Sequence, residues 1–159
     1  MATSPAPRYG RCVALLPPDV AAEVEALCAE GRGAVASGAF PQAIARFEAA
    51  FALLPGPPEQ WSAATSIWSA VADARFLSRD FAGALEPIAL AMLHGEEGNP
   101  LLHLRRGQCL FEMGHRDAAL DALARAYVGA GREIFLREDA KYLDALREFL
   151  PPRPGEEEL

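Results

Sequence analysis

Apolar residues recur at intervals of three or four along most of this chain. Between residues 41 and 54 the apolar positions are Ile44, Phe47, Ala50, Phe51 and Leu54. That spacing places them on one face of an α-helix. Similar stripes predict seven helices, at about residues 18–37, 41–54, 59–78, 81–93, 100–113, 115–130 and 140–150. No segment alternates with the period of two that is typical of a strand, so we expect an all-α protein built from helical hairpins.

Proline and charge divide the chain into three parts. Residues 1–17 are interrupted by prolines and are expected to be irregular, residues 18–150 form the helical domain, and residues 151–159 are an acidic tail. Pro87 falls inside the fourth predicted helix. Because proline has no N–H, it removes the hydrogen bond to the carbonyl of Gly83 and should kink that helix.

The three predicted hairpins repeat the same pattern of small and large residues. The alanines Ala43, Ala84 and Ala119 are 41 and 35 residues apart, and a large apolar residue follows each of them after four positions. Twelve positions before each alanine the preceding helix carries a small residue, namely Gly31, Ala72 and Gly107. Small residues at these positions let the two helices of a hairpin approach each other closely.

These residues, together with Gly38 and Phe40 at the first turn, resemble the tetratricopeptide repeat, whose unit is about 34 residues long. The resemblance covers roughly residues 20–131. The second copy carries an insertion and has Arg79 where the turn glycine is expected. The resemblance implies a solenoid of about three hairpins, and the helix from Tyr142 to Leu150 would be its C-terminal cap.

In this family the first helices of the hairpins line a concave face that binds other proteins. On the first two copies the corresponding positions include Glu25, Cys28, Ser66 and Ser69. The protein-binding residues that the resemblance implies are Arg32, Val35, Asp73, Phe76, Leu77, Leu104, Gln108 and Phe111. The apolar members of this set are expected to form an exposed strip, and such strips usually mark a partner site. The alternative is that the N-terminal segment or a second copy of the chain covers it.

Two narrower resemblances suggest what kind of partner is bound. Residues 99–127 and 131–150 are similar to a group of small bacterial tetratricopeptide proteins from toxin and secretion loci, which implies a cognate immunity or adaptor role. The stretch "PLLHLRRGQCLFEMG" is also similar to the third repeat of class II type III secretion chaperones, which hold an unfolded translocator segment. Both resemblances imply stoichiometric protein binding without catalysis.

Composition narrows the classes of function further. The net charge of −7 and pI near 5.0 argue against binding nucleic acid or an anionic membrane. The N-terminal apolar run is too short for a signal peptide, and three widely spaced cysteines indicate reduced thiols, so we expect a cytoplasmic protein. The three histidines are scattered and no catalytic or nucleotide-binding motif occurs, so we expect no enzyme, no metal and no cofactor. A homodimer remains possible.

Overall fold

The computed structural model describes residues 15–95 and 97–150. In those residues the chain forms seven α-helices and no strand, which confirms the all-α prediction. The helices are α1 (Pro18–Ala36), α2 (Phe40–Ala52), α3 (Ser62–Leu77), α4 (Phe81–His94), α5 (Pro100–Glu112), α6 (Arg116–Ala130) and α7 (Ala140–Phe149). Two short 3₁₀ helices, Pro58–Gln60 and Arg132–Phe135, precede α3 and α7. The expectations for residues 1–14 and for the acidic tail lie outside the described residues.

The helices pair in sequence as three hairpins, α1–α2, α3–α4 and α5–α6. Each hairpin packs on the next, and α7 packs on α6, so the chain forms a helical solenoid. Each hairpin turn passes through the left-handed region of backbone conformation, at Gly38 (φ 75°), Arg79 (φ 66°) and Gly114 (φ 80°). Glycine adopts this conformation without steric cost, whereas Arg79 does so with a Cβ that crowds the backbone.

Two of the small residues predicted at the hairpin interfaces lie where a larger residue would force its neighbours to move. A Cβ placed on Gly31 would be 2.5 Å from Cε1 of Phe47, and one on Gly107 would be 2.7 Å from Cγ of Leu123. Phe47 and Leu123 are almost completely buried. The glycines therefore let the large residue of the second helix pack directly against the backbone of the first, as the repeat predicts.

The α4 helix continues through Pro87 without a break. Pro87 cannot donate to the carbonyl of Gly83, and the Nη1 of Arg75 donates to that oxygen instead, at 2.9 Å. The Arg75 side chain is 27% exposed, and its Nη2 lies 3.9 Å from a carboxylate oxygen of Glu48. A side chain on α3 thus replaces the main-chain donor that proline removes from α4.

The core runs along the solenoid as three clusters of buried side chains. The first lies between α1, α2 and α3 around Phe47 and Ile67, and the second, around Ile88 and Cys109, joins α3, α4 and α5. The third lies under α7 at the C-terminal end. Its buried members include Tyr142, Leu143 and Leu146, so α7 covers the apolar face that the last hairpin would otherwise expose.

Candidate protein-binding groove

An open groove of about 690 Å³ runs between α1 and α3. One wall is formed by α1 and the other by α3, and the N-cap residue of α5, Asn99, closes one end. The side chains that line it and that the sequence places on the inner face are Glu25, Cys28, Arg32, Val35, Ser66, Ser69 and Asp73. The first helices of the first two hairpins therefore meet at one concave surface.

The α1 wall carries a charged pair with a thiol between its members. Arg32 donates to the carboxylate of Glu25 at 2.5 Å, and both side chains are more than half exposed. Burial of the Cys28 thiol is the main reason that its pKa is raised, and the Glu25 carboxylate adds to this effect while Arg32 opposes it. The thiol is therefore protonated at neutral pH and is a poor nucleophile or metal ligand.

The α3 wall is shallow because its side chains are small. Ser66, Ser69 and Ala70 face the groove. The Ser69 hydroxyl donates to the carbonyl of Thr65 at 2.9 Å, which turns the side chain back toward its own helix. These residues leave the volume of the groove open rather than filling it.

Arg105 on α5 joins one end of this open groove, at Asp73, to the third repeat. Its Nε donates to Asp73 at 2.7 Å, and its guanidinium lies 4.2 Å from the centre of the Phe76 ring. Its Nη1 donates to the amide oxygen of Gln108 at 2.8 Å, and the Gln108 amide donates to Glu138 at 2.6 Å. A continuous polar network thus crosses from α3 through α5 to the segment before α7.

A second network lies beside the first, at the C-terminal end of α5. The Tyr142 hydroxyl and the Lys141 ammonium each lie 2.6 Å from the same oxygen of Glu112. Burial raises the pKa of the Glu112 carboxyl, but these two hydrogen bonds and the Lys141 charge outweigh that effect and lower it overall. Burial, followed by the hydrogen bond to Glu112, raises the pKa of Tyr142 well above its ordinary value.

Three of the residues predicted from the repeat, Arg32, Val35 and Asp73, line the groove together. Leu77 is exposed, at 47%, but lies outside the groove lining, and Phe76 is half-buried between Arg105 and Phe81. The structure places these five residues on two different parts of the inner face.

The expectation of an exposed apolar strip is wrong for the third repeat. Leu104 is only 3% exposed and Gln108 is fully buried, while Phe111 is half-buried with its ring against the edge of Tyr142. The reason is that the 3₁₀ helix and α7 fold over this part of the inner face. Glu138 lies between Arg137 and Asp139 in the sequence, a pattern typical of a solvated surface. In the structure its side chain is half-buried and accepts a hydrogen bond from Gln108.

Arg105 and Glu138 are the residues that sequence reasoning misses. The sequence offers one signal for Arg105: it directly follows Leu104, whose position belongs to the inner-face register of α5. Nothing comparable marks Glu138, because its role depends on a contact with a residue 30 positions away.

His103 is buried, and its Nδ1 has no hydrogen-bond partner among the described residues. Within those residues there is also no group of three or more His, Cys, Asp or Glu side chains that could hold a metal ion. None of the described helices is long and apolar enough to cross a membrane.

Comparison with known proteins supports the fold. No family model matches the sequence, and no curated protein matches it. Among solved structures, the chain is similar to the first TPR domain of Spaghetti (RPAP3) bound to the HSP90 peptide SRMEEVD, with a TM-score of 0.61 and 16% identity over 80% of this chain and 90% of that chain. The chain has a tetratricopeptide-repeat fold.

The chain is also similar in fold to a chain of the CopN–Scc3 complex. The TM-score is 0.56, the identity is 18%, and the match covers 79% of this chain and 65% of that chain. Both similarities lie at the level of the fold. The repeat solenoid is what the three proteins have in common.

Proposed function

We propose that this chain is a non-catalytic tetratricopeptide-repeat module that binds another protein in the groove between α1 and α3. The observation that carries the proposal is that, within the described residues, this part of the inner face is open, while the 3₁₀ helix before α7 and α7 itself cover the third repeat. Solved structures of the same fold are of a TPR domain bound to a peptide and of a protein complex, which supports a protein partner.

Within this class we favour a cognate immunity or adaptor role in a bacterial cytosol. The support is the similarity of residues 99–127 and 131–150 to the small proteins of toxin and secretion loci. An immunity protein binds a folded toxin domain, and the net charge of −7 suits a partner with a basic surface.

The dimensions of the groove favour a second candidate, a chaperone that holds an unfolded segment. Its α1 wall extends from Val24 to Val35, which corresponds to about 17 Å along a helix. An extended chain advances about 3.3 Å per residue, so the groove accommodates about five residues of such a segment.

A pull-down from the native host, followed by mass spectrometry, would identify the partner and separate the two roles. Recovery of the product of a neighbouring toxin gene supports the immunity role, and recovery of a translocator supports the chaperone role. Hydrogen exchange of the partner within the complex is an independent check, since a folded toxin domain retains protected amides and an unfolded segment does not.

The groove is tested by filling it. Ser66 lies in the groove and is exposed, so Ser66→Trp should obstruct the site without disturbing the core. We expect a loss of affinity for the identified partner of more than tenfold, about 1.4 kcal/mol, by titration calorimetry. Ser62→Trp is the matched control, because Ser62 is exposed on the same helix but does not line the groove. Unchanged affinity of the Ser66 variant, with normal circular dichroism, would contradict the assignment.

A further inference from the structure

A second groove, of about 550 Å³, lies between α4 and α5. Its apolar lining includes Leu85, Met92, Leu93 and Leu110. Leu93 is 69% exposed at this groove. This groove shares no lining residue with the groove between α1 and α3.

One acidic and one basic side chain accompany the apolar lining. Glu97 lies in the loop between α4 and α5, and Arg106 lies on α5. Both residues are exposed, and within the described residues neither forms an ion pair or a hydrogen bond through its side chain. Most other arginines of the helices are paired within the chain.

This combination is self-complementary. In a twofold dimer, if one residue of the first chain contacts a second residue of the other chain, the same contact also forms with the chains exchanged. Glu97 of one chain can then pair with Arg106 of the other, and Arg106 of the first with Glu97 of the second. Two copies of a chain with a net charge of −7 repel each other, and a face whose local charge is balanced adds least to that repulsion. Among its described lining residues, the groove between α4 and α5 carries one charge of each sign beside an exposed leucine, so it is such a face.

We infer that the α4–α5 groove is the interface of a twofold homodimer in which Leu93 is buried and Glu97 pairs with Arg106 of the second copy. This inference goes beyond the proposed function, because a dimer formed through this face presents two α1–α3 grooves to partners. It does not depend on the identity of any partner.

The full chain should therefore sediment at twice the 17.0 kDa of one chain in the micromolar range. Leu93→Glu should shift it to the monomer mass, because it places a carboxylate in the apolar centre of the interface. Val128→Glu is the matched control, since Val128 is also highly exposed, at 72%, but lies on α6 outside this groove, and it should leave the dimer intact.

A charge exchange tests the pairing itself. Arg106→Glu leaves two acidic residues at this face and Glu97→Arg leaves two basic ones, so each variant alone should be a monomer. Mixing the two variants should restore a dimer that contains one chain of each, since both cross-pairs then have opposite charge. A variant that is only misfolded cannot be rescued in this way.

Three results would overturn the inference: a wild-type chain that is monomeric throughout the concentration series, a dimer that persists in Leu93→Glu, or a mixture of the two charge variants that remains monomeric. Because sedimentation reads mass alone, each of these results leaves the test of the α1–α3 groove unaffected.

Discussion

The hydrogen bond from Arg75 to the carbonyl of Gly83 predicts a measurable coupling between α3 and Pro87 in α4. Replacing Arg75 with methionine keeps most of the aliphatic stem and removes the donor. A hydrogen bond from a charged donor contributes about 1.5–3 kcal/mol when buried. Since the Arg75 side chain is 27% exposed, water can partly replace it, and we expect a loss of about 1.5 kcal/mol in the free energy of unfolding.

Pro87→Ala supplies the missing main-chain N–H at position 87, which can then donate to Gly83. Arg75→Met should therefore cost less in the Pro87→Ala background than in the wild type, by about 0.5–1.5 kcal/mol. The coupling is measured by urea denaturation of the wild type, the two single variants and the double variant, followed by circular dichroism. The transition slope must be the same in all four, because a repeat protein can lose cooperativity.

Arg75 also forms a weak ion pair with Glu48, and Glu48→Gln measures the contribution of that ion pair by itself. The two groups are 3.9 Å apart and the Glu48 side chain is 62% exposed, so we expect a change below about 0.5 kcal/mol. If Arg75→Met costs the same with and without Pro87, the donor does not replace the main-chain bond and the reasoning is refuted.

Three further predictions concern the packing of α1 against α2, the turn at Arg79 and the network around Glu112. Gly31→Ala should lower the free energy of unfolding by about 1–2 kcal/mol, because the new Cβ meets the ring of Phe47. Gly33→Ala in the same helix is the control: its Cβ meets no neighbouring atom, and it should raise the free energy of unfolding by about 0.5–1 kcal/mol. Equal effects of the two variants in urea denaturation would contradict the close packing. Arg79→Gly should raise the free energy of unfolding by about 0.5 kcal/mol in the same assay, because glycine adopts the left-handed conformation of this turn without strain. A loss of stability would show that the contact of Arg79 with Phe81 outweighs the strain. The pKa of Glu112 is lowered in the folded chain, so its ionised carboxylate stabilises the fold above the unfolded pKa of about 4.3. That stabilisation is lost as pH falls through the folded pKa. Glu112→Gln should therefore be less stable than the wild type at pH 7, and the difference in the free energy of unfolding should shrink below about pH 4. A difference that stays constant with pH would exclude this role.

The helices and their pairing are predictable because they depend on local patterns. The spacing of Ile44, Phe47 and Phe51 determines a helical face, and the left-handed turns at Gly38 and Gly114 follow from the conformational freedom of glycine. The prediction of a kink at Pro87 rests on the same local reasoning, but the donor that compensates for it, Arg75, comes from another helix.

The candidate site is predictable only where the helical register by itself decides which side chains reach the groove. Arg32, Val35 and Asp73 line the groove because the register of α1 and α3 directs them to the inner face. Leu104 and Gln108 occupy the same register on α5, and yet they are buried. Register determines the direction in which a side chain points, but it carries no information about what lies in front of it.

The sequence by itself determined the all-α class, the three hairpins and the positions of the small residues between their helices, because these follow from interactions over a few turns of helix. The tertiary structure alone decided which part of the inner face is open. Glu138 and Tyr142 each contact α5 from 30 residues away, and they convert a predicted apolar strip into an interior surface. The open groove lies between α1 and α3, where the α3 wall has small side chains and where no described residue after Asn99 contributes to the lining.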